Sequence, residues 1–133
     1  MKTIQLLNEK NHFLEKFYSL NEKQLVQLSA SQFENVEYFY NQREDILKII
    51  KYIDAELLRT HDDEVAMNTA ISSQDQAAVK ECLRVKDIFV YRIVEQDVQI
   101  ISLIEKLKNN IITELKSVRG ARRAMTGYKS TTM

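Results

Sequence analysis

No Pro occurs anywhere in this 133-residue chain, and its two glycines are Gly120 and Gly127. Pro and Gly break helices most strongly, one through a missing amide donor and a ring clash, the other through backbone entropy. Nothing of that kind interrupts the chain before Gly120, so long helices are permitted. Their ends must be set by capping residues and by lapses in hydrophobic period. The same scarcity excludes chemistry that depends on a glycine turn: a phosphate-cradling loop, a dinucleotide-binding turn or a strained nucleophile elbow. With 44% apolar and 29% charged residues, the composition suits one folded helical domain rather than a disordered chain.

Three amphipathic segments follow from the periodicity. In residues 3–28, Leu7, Leu14, Tyr18, Leu25 and Leu28 fall on alternating three- and four-residue steps, with Asn11 and Asn21 in the polar slots. Leu6, Phe13, Phe17 and Leu20 widen this stripe enough to meet two other helices. Ser31 stands three residues before Glu34, the spacing of a capping box, which predicts a second helix from about Gln32. Its seam reads Phe33, Val36, Tyr40, Arg43, Leu47, Ile50, Asp54 and Leu57, with Phe39, Ile46 and Ile53 in a flanking row. Periodicity lapses between Arg59 and Ser73, around Asn68, Thr69, Ser72 and Ser73, so the second turn is expected there. Ser73 and Gln76 repeat the capping spacing and open a third helix.

The third helix is the most regular. Val79, Leu83, Lys86, Val90, Ile93, Asp97, Ile100, Ile104, Leu107, Ile111, Glu114 and Val118 lie at coiled-coil spacing. From Ser73 to Val118 it would extend roughly 65 to 70 Å, longer than an ordinary globular helix. The expected fold is all-α: an antiparallel, up-down-up three-helix bundle of coiled-coil character with a long third helix. Residues 1–118 form the bundle domain, and 119–133, which begin at Gly120's boundary, are expected to be a basic, flexible tail. A third helix that outruns its neighbours leaves Ile104, Leu107, Ile111, Ile112, Leu115 and Val118 partly uncovered. Such a stripe serves partner binding or self-association, as in a homodimer.

The formal net charge of zero conceals a division. From Lys106 onward Lys106, Lys108, Lys116, Arg119, Arg122, Arg123 and Lys129 face only Glu114, a net +6, and the preceding residues carry −6. Arg119, Arg122 and Arg123 form a candidate docking tail for acidic partners, membranes or nucleic acid. Solvated cations near a helix C-terminus are equally expected from the macrodipole. The aromatics Phe33, Tyr38, Phe39, Tyr40 and Tyr52 cluster on the acidic second segment, away from these cations, so nucleic-acid binding is not expected.

Candidate chemical sites are few. Glu9 and His12 have the spacing of a carboxylate-bridged metal bundle, but such a site needs a second Glu-x-x-His, and the other histidine, His61, has no Glu three residues before it. Cys82, the lone cysteine, excludes an intramolecular disulfide and reads as a buried, inert thiol with no general base beside it. Arg43, Asp54, Lys86, Asp97 and Glu114 occupy seam slots where an unpaired charge is costly, so pairs such as Arg43 with Asp97 across antiparallel helices are expected to set register. No catalytic residues, metal or cofactor are expected. The N-terminal Met1–Glu9 breaks its apolar run too early for an export signal, and no stretch of 18 apolar residues occurs. The chain reads as cytoplasmic.

The stretch from Leu25 to Leu47, through Leu28-Ser29-Ala30-Ser31 and Arg43-Glu44-Asp45-Ile46-Leu47, resembles the small bacterial flagellar export chaperones of hook-associated and filament-cap proteins. In that family a first helix ends at a short turn, the second carries an Arg followed by leucines, and a later helix ends in an amphipathic segment. The resemblance implies a cytoplasmic, non-enzymatic chaperone or adaptor that keeps amphipathic helices of secretion substrates unassembled and passes them to the export apparatus. Substrate contact in the family lies on the C-terminal amphipathic helix, which maps here to Ile104, Leu107, Ile111, Ile112, Leu115 and Val118. The basic end from Arg119 to Lys129 matches no motif of the family. The alternative is a structural or regulatory coiled-coil protein that self-associates without a secretion role.

Overall fold

The computed structural model describes residues 1–67 and 70–131; Asn68, Thr69 and positions 132–133 lie outside the described residues, as do the side chains of 126–131. The fold is all-α, with helices α1 (Lys2–Ser29), α2 (Val36–Ala66) and α3 (Ser73–Thr131). The chain separates into two units, Met1–Ile100 and Ile101–Met133. The first holds α1, α2 and the N-terminal part of α3. The second is the remainder of α3.

Long-range side-chain pairs fix the directions within the first unit. Thr3 donates to the carboxylate of Glu64 at 3.1 Å and Lys10 pairs with Asp54 at 2.6 Å, so residue numbers fall along α2 as they rise along α1. Arg43 pairs with Asp97, while Asn11 bonds the Cys82 carbonyl and Asn21 bonds Gln96. Thus α2 runs antiparallel to both α1 and α3, and α1 and α3 run parallel. This is the expected up-down-up bundle.

Two of the three helix boundaries have a visible cause. At the end of α1 the Gln32 amide donates to the Gln27 carbonyl at 2.8 Å and the Ser31 amide to the Leu28 carbonyl at 3.0 Å. These paired bonds form a Schellman motif, with Ser31 at its left-handed position (φ 59°). The expected capping box is therefore corrected: Ser31 closes α1 rather than opening α2. Helix α2 starts at Val36 behind Asn35, with no side-chain cap. Helix α3 starts where expected, but the hydroxyl of Ser72, one residue earlier than Ser73, accepts the Asp75 amide at 3.1 Å. Asp75 adds a negative charge to the positive end of the helix.

The helix does not stop at Gly120. It continues to Thr131, and a side chain at Gly120 would meet nothing within 4 Å. One Gly costs about 1 kcal/mol in a helix interior, and neighbouring Arg119, Ala121, Arg122, Arg123, Ala124 and Met125 are all strong helix formers. The boundary expected between a bundle ending at 118 and a tail at 119–133 is thus not a helix end.

In the first unit Leu14, Phe17, Ile50 and Ile93 form the apolar centre, with Phe13, Tyr18, Ile46, Leu47 and Phe89 against it. Leu7 is also buried, as are Leu28, Phe39 and Ile100. Both expected rows of α2 contribute to the buried face: Ile50 of the seam is buried and Val36, Arg43, Leu47 and Leu57 are half-buried. Phe39 and Ile53 of the flanking row are buried, whereas Phe33 and Tyr40 are exposed. In α3, Cys82 is buried and Leu83 and Val90 are exposed. Both helices carry two adjacent rows at near-equal spacing, and members of both rows lie inward.

Candidate functional site

The first unit is organised around a polar layer that joins all three helices. Arg43 Nη2 lies 2.9 Å from Asp97 Oδ2, and both side chains are about three-quarters buried, at 22% and 26% exposure. The guanidinium also sits 5.0 Å from the ring centre of Phe17, a cation–π contact from α2 to α1. Asn21 Nδ2 donates to Gln96 Oε1 at 3.1 Å and to Asp97 Oδ1 at 3.3 Å. Gln96 Nε2 donates to the Tyr18 carbonyl at 3.1 Å and to Glu22 Oε1 at 2.8 Å. Asn21 is 0% exposed and Gln96 4% exposed. A second polar layer lies toward the N-terminus of α1, where the Cys82 thiol donates to Asn8 Oδ1 at 3.2 Å and Asn11 Nδ2 donates to the Cys82 carbonyl at 3.0 Å.

These layers have a register function. A one-turn slip of α3 along α1 would leave Gln96, Asp97 and Arg43 buried without partners, which is more damaging than a slip of apolar residues past one another. The expected Arg43–Asp97 pair and the buried Cys82 are both present. Asp54, another expected seam charge, pairs with Lys10, and Lys86 pairs with its neighbour Asp87 at 3.0 Å. Gln96 escaped the sequence reading because the row through Asp97 fits the heptad as well. The signal was the four-three-four spacing of Phe89, Ile93, Gln96 and Ile100.

The second unit is a single helical segment. Ile104 and Leu107 are partly exposed, and Ile111 (52%), Ile112, Leu115 (52%) and Val118 are exposed. The helix continues past Gly120, where Met125, also exposed, falls in line with Leu107, and Arg122 falls in line with Ile104. The six expected contact residues thus fall on one helix, and the sequence reading missed its continuation because Gly120 was taken as a stop. Arg119, Arg122 and Arg123 are on this helix too. An isolated helical stripe draws little stability from propensity alone, and most helices gain theirs by burying such a face.

His12 is exposed, edge-on to Phe13, and lines a groove of about 590 Å³ between α1 and α2 with Glu15, Lys16, Ser19, Lys23 and Asp45. Among the described residues no group of three or more His, Cys, Asp or Glu is placed to hold a metal ion. Among them, too, no helix is long and apolar enough to cross a membrane. The Glu81 carboxyl is held below its ordinary range by hydrogen bonds from Arg84, and the Tyr91 hydroxyl is pushed up by its hydrogen bond to Glu95. All four side chains are exposed. Comparisons of the chain with protein-family models, with curated proteins and with solved structures found no match.

Proposed function

We propose that this protein is a non-enzymatic, cytoplasmic chaperone or adaptor that captures an amphipathic helix of a flagellar or related secretion substrate and keeps it unassembled until export. The observation that carries the proposal is the stripe Ile104, Leu107, Ile111, Ile112, Leu115 and Val118, borne on a helix and exposed from Ile111 onward. A contiguous apolar face on a helix with no second element in its unit is the surface required for helix-on-helix capture. The resemblance of residues 25–47 to flagellar export chaperones supplies the substrate class. In this function the bundle Met1–Ile100 is the rigid body, and its polar layers hold one register during cycles of capture and release.

The test is affinity capture from the native cell with the unaltered protein and with Leu107→Asp combined with Ile111→Asp. A hook-associated or filament-cap protein is expected with the first and absent with the second, while circular dichroism shows the same bundle. Equal capture by both forms would remove the stripe from the mechanism. Capture of partners unrelated to secretion would retain the stripe and overturn the substrate class.

A further inference from the structure

The continuation of α3 through Gly120 places cations beside the stripe in a pattern the linear sequence conceals. At about 100° per residue, Lys108, Lys116, Arg119 and Arg123 fall within about 80° of one another, along one edge of the face formed by Ile104, Leu107, Ile111, Leu115 and Val118. Glu105 and Ile112 stand among these cations and Arg122 falls in line with Ile104, while the opposite edge carries Asn110, Ser117 and Ala121, with Glu114 and Lys106 as charges that cancel. All four cations are exposed. Had the chain beyond Arg119 been an irregular tail, Arg119 and Arg123 would have had no fixed relation to the apolar residues. On a continuous helix they line the same edge as Lys108.

We infer that the occupant of this face is an amphipathic helix with a row of Asp or Glu along one border of its own apolar stripe. This rests on the proposal that the stripe captures a helix, and it adds which helix is selected. A partner helix covering Ile104 to Val118 brings one border alongside the basic edge, where carboxylates gain several cross-helix pairs and lysines meet repulsion. A second copy fits poorly. The acids at 101–131 are Glu105 and Glu114, against six cations through Arg123: antiparallel self-pairing sets basic border against basic border, with Glu105 as its one carboxylate, and parallel self-pairing offers the four cations only Glu114. An anionic membrane is also disfavoured, because a helix lying in a bilayer surface carries its cations across the polar face and on both borders. Here Lys108, Lys116, Arg119 and Arg123 keep to one border, and Lys106 alone lies beyond the other.

The test uses the full chain and two fluorescent synthetic helices with identical apolar faces, one bordered by Glu and one by Lys, read by anisotropy. The Glu-bordered helix is expected to bind about tenfold more tightly at about 50 mM NaCl, as several exposed pairs acting together would give, and the gap should close at about 300 mM. The triple variant Lys108→Glu, Arg119→Glu, Arg123→Glu should reverse the preference without altering the thermal midpoint of the bundle. Equal binding of both helices would overturn the charge selection while leaving helix capture standing. Failure of both to bind would overturn the two together. The proposal also falls if light scattering finds a dimer that Ile111→Asp dissociates, since a second copy would then be the occupant. Vesicles of phosphatidylserine and phosphatidylcholine that bind as tightly as the Glu-bordered helix would replace the helix with a membrane.

Discussion

The bundle Met1–Ile100 and the helix Ile101–Met133 carry the same kind of heptad pattern, but their polar residues differ in what they meet. In the bundle, several polar groups at seam positions are matched across helices, Arg43 with Asp97, Asn21 with Gln96, Gln96 with Glu22 and Asn11 with the Cys82 carbonyl, while Gln24 Nε2 and the side-chain oxygens of Asn11 and Asn21 are buried with no hydrogen-bond partner among the described residues. In the second unit Glu114 occupies a seam slot and is exposed, as are Ile111 and Leu115. Period alone therefore makes a helix with a face. What makes that face a core is a facing helix, and the second unit, a single helix, holds none within itself among the described residues.

The widest separation between the two regions should appear on truncating an apolar residue in each. Phe17→Ala removes a ring from the centre of the bundle and should cost about 3–5 kcal/mol through lost transfer energy and the cavity left behind. Ile111→Ala, at an exposed position, should change the urea unfolding of the bundle by less than about 0.5 kcal/mol. Comparable losses from both would mean that the stripe is buried in solution, and the contrast would fail.

Removing one half of a seam pair is the next largest effect. Arg43→Ala leaves Asp97 largely buried with only Asn21 to serve it, and should lower stability by about 2–3 kcal/mol. Arg43→Met together with Asp97→Leu should recover most of that loss, because a well-packed apolar pair replaces a buried ion pair at little net expense. If the double variant is as stable as the original but binds more than one alignment of α3, seen as doubled amide resonances near Gln96, the polar layer is confirmed as the register device. A single set of resonances would assign register to the apolar residues alone.

How much of this was legible in the chain depends on whether a local pattern had one physical outcome. The Arg43–Asp97 pair and the burial of Cys82 were legible, because a charge in a seam slot needs an opposite charge and a thiol without a base packs as an apolar group. The three helices followed from the apolar period and its lapses, in a chain with no Pro and no Gly before Gly120. Which members of the two rows of α2 and of α3 lie inward was not legible. Phe39 competes with Tyr40, and Gln96 with Asp97, at indistinguishable spacing, and only the cross-bundle partners decide. Ser31 was ambiguous because Ser-x-x-Glu can cap the helix that follows or simply lie in the turn that ends the helix before. The helix that bears the proposed stripe was legible as far as Val118. Its extension to Met125 was hidden by weighing one Gly above six flanking helix formers.

Glycine should act with opposite sign in the two regions. Ser31→Gly relieves a side chain held at φ 59° and should stabilise the bundle by about 0.5–1 kcal/mol. Gly120→Ala, with open space around the added methyl group, should strengthen the second unit by a similar amount, about 0.8–1 kcal/mol of helix propensity. The first change is read in the midpoint of urea unfolding and the second in slower amide exchange between residues 115 and 125. Gly120→Ala should leave the unfolding midpoint of the bundle in place. A shift there would show that the two units unfold as one.

The smallest effect sharpens the contrast between buried and exposed pairs of the same chemistry. Arg84 donates to both carboxylate oxygens of Glu81, at 2.9 and 2.6 Å, a bidentate geometry more complete than that of Arg43 with Asp97. The hydrogen bonds from Arg84 hold the Glu81 carboxyl below its ordinary range against an opposing push from desolvation, and the charge of Arg84 adds the smallest share. A carboxyl depressed in this way adds stability above the ordinary carboxylate range and loses it as pH falls through its folded value. Both side chains are exposed, so the water and salt around them screen most of that gain. In Arg84→Gln the Glu81 carboxyl should titrate higher by NMR while the thermal midpoint at neutral pH stays unchanged. If Arg84→Gln lowered the midpoint as far as Arg43→Ala does, burial would not be what separates the two pairs, and the weight given to the polar layer of the bundle would have to move to the helix surface.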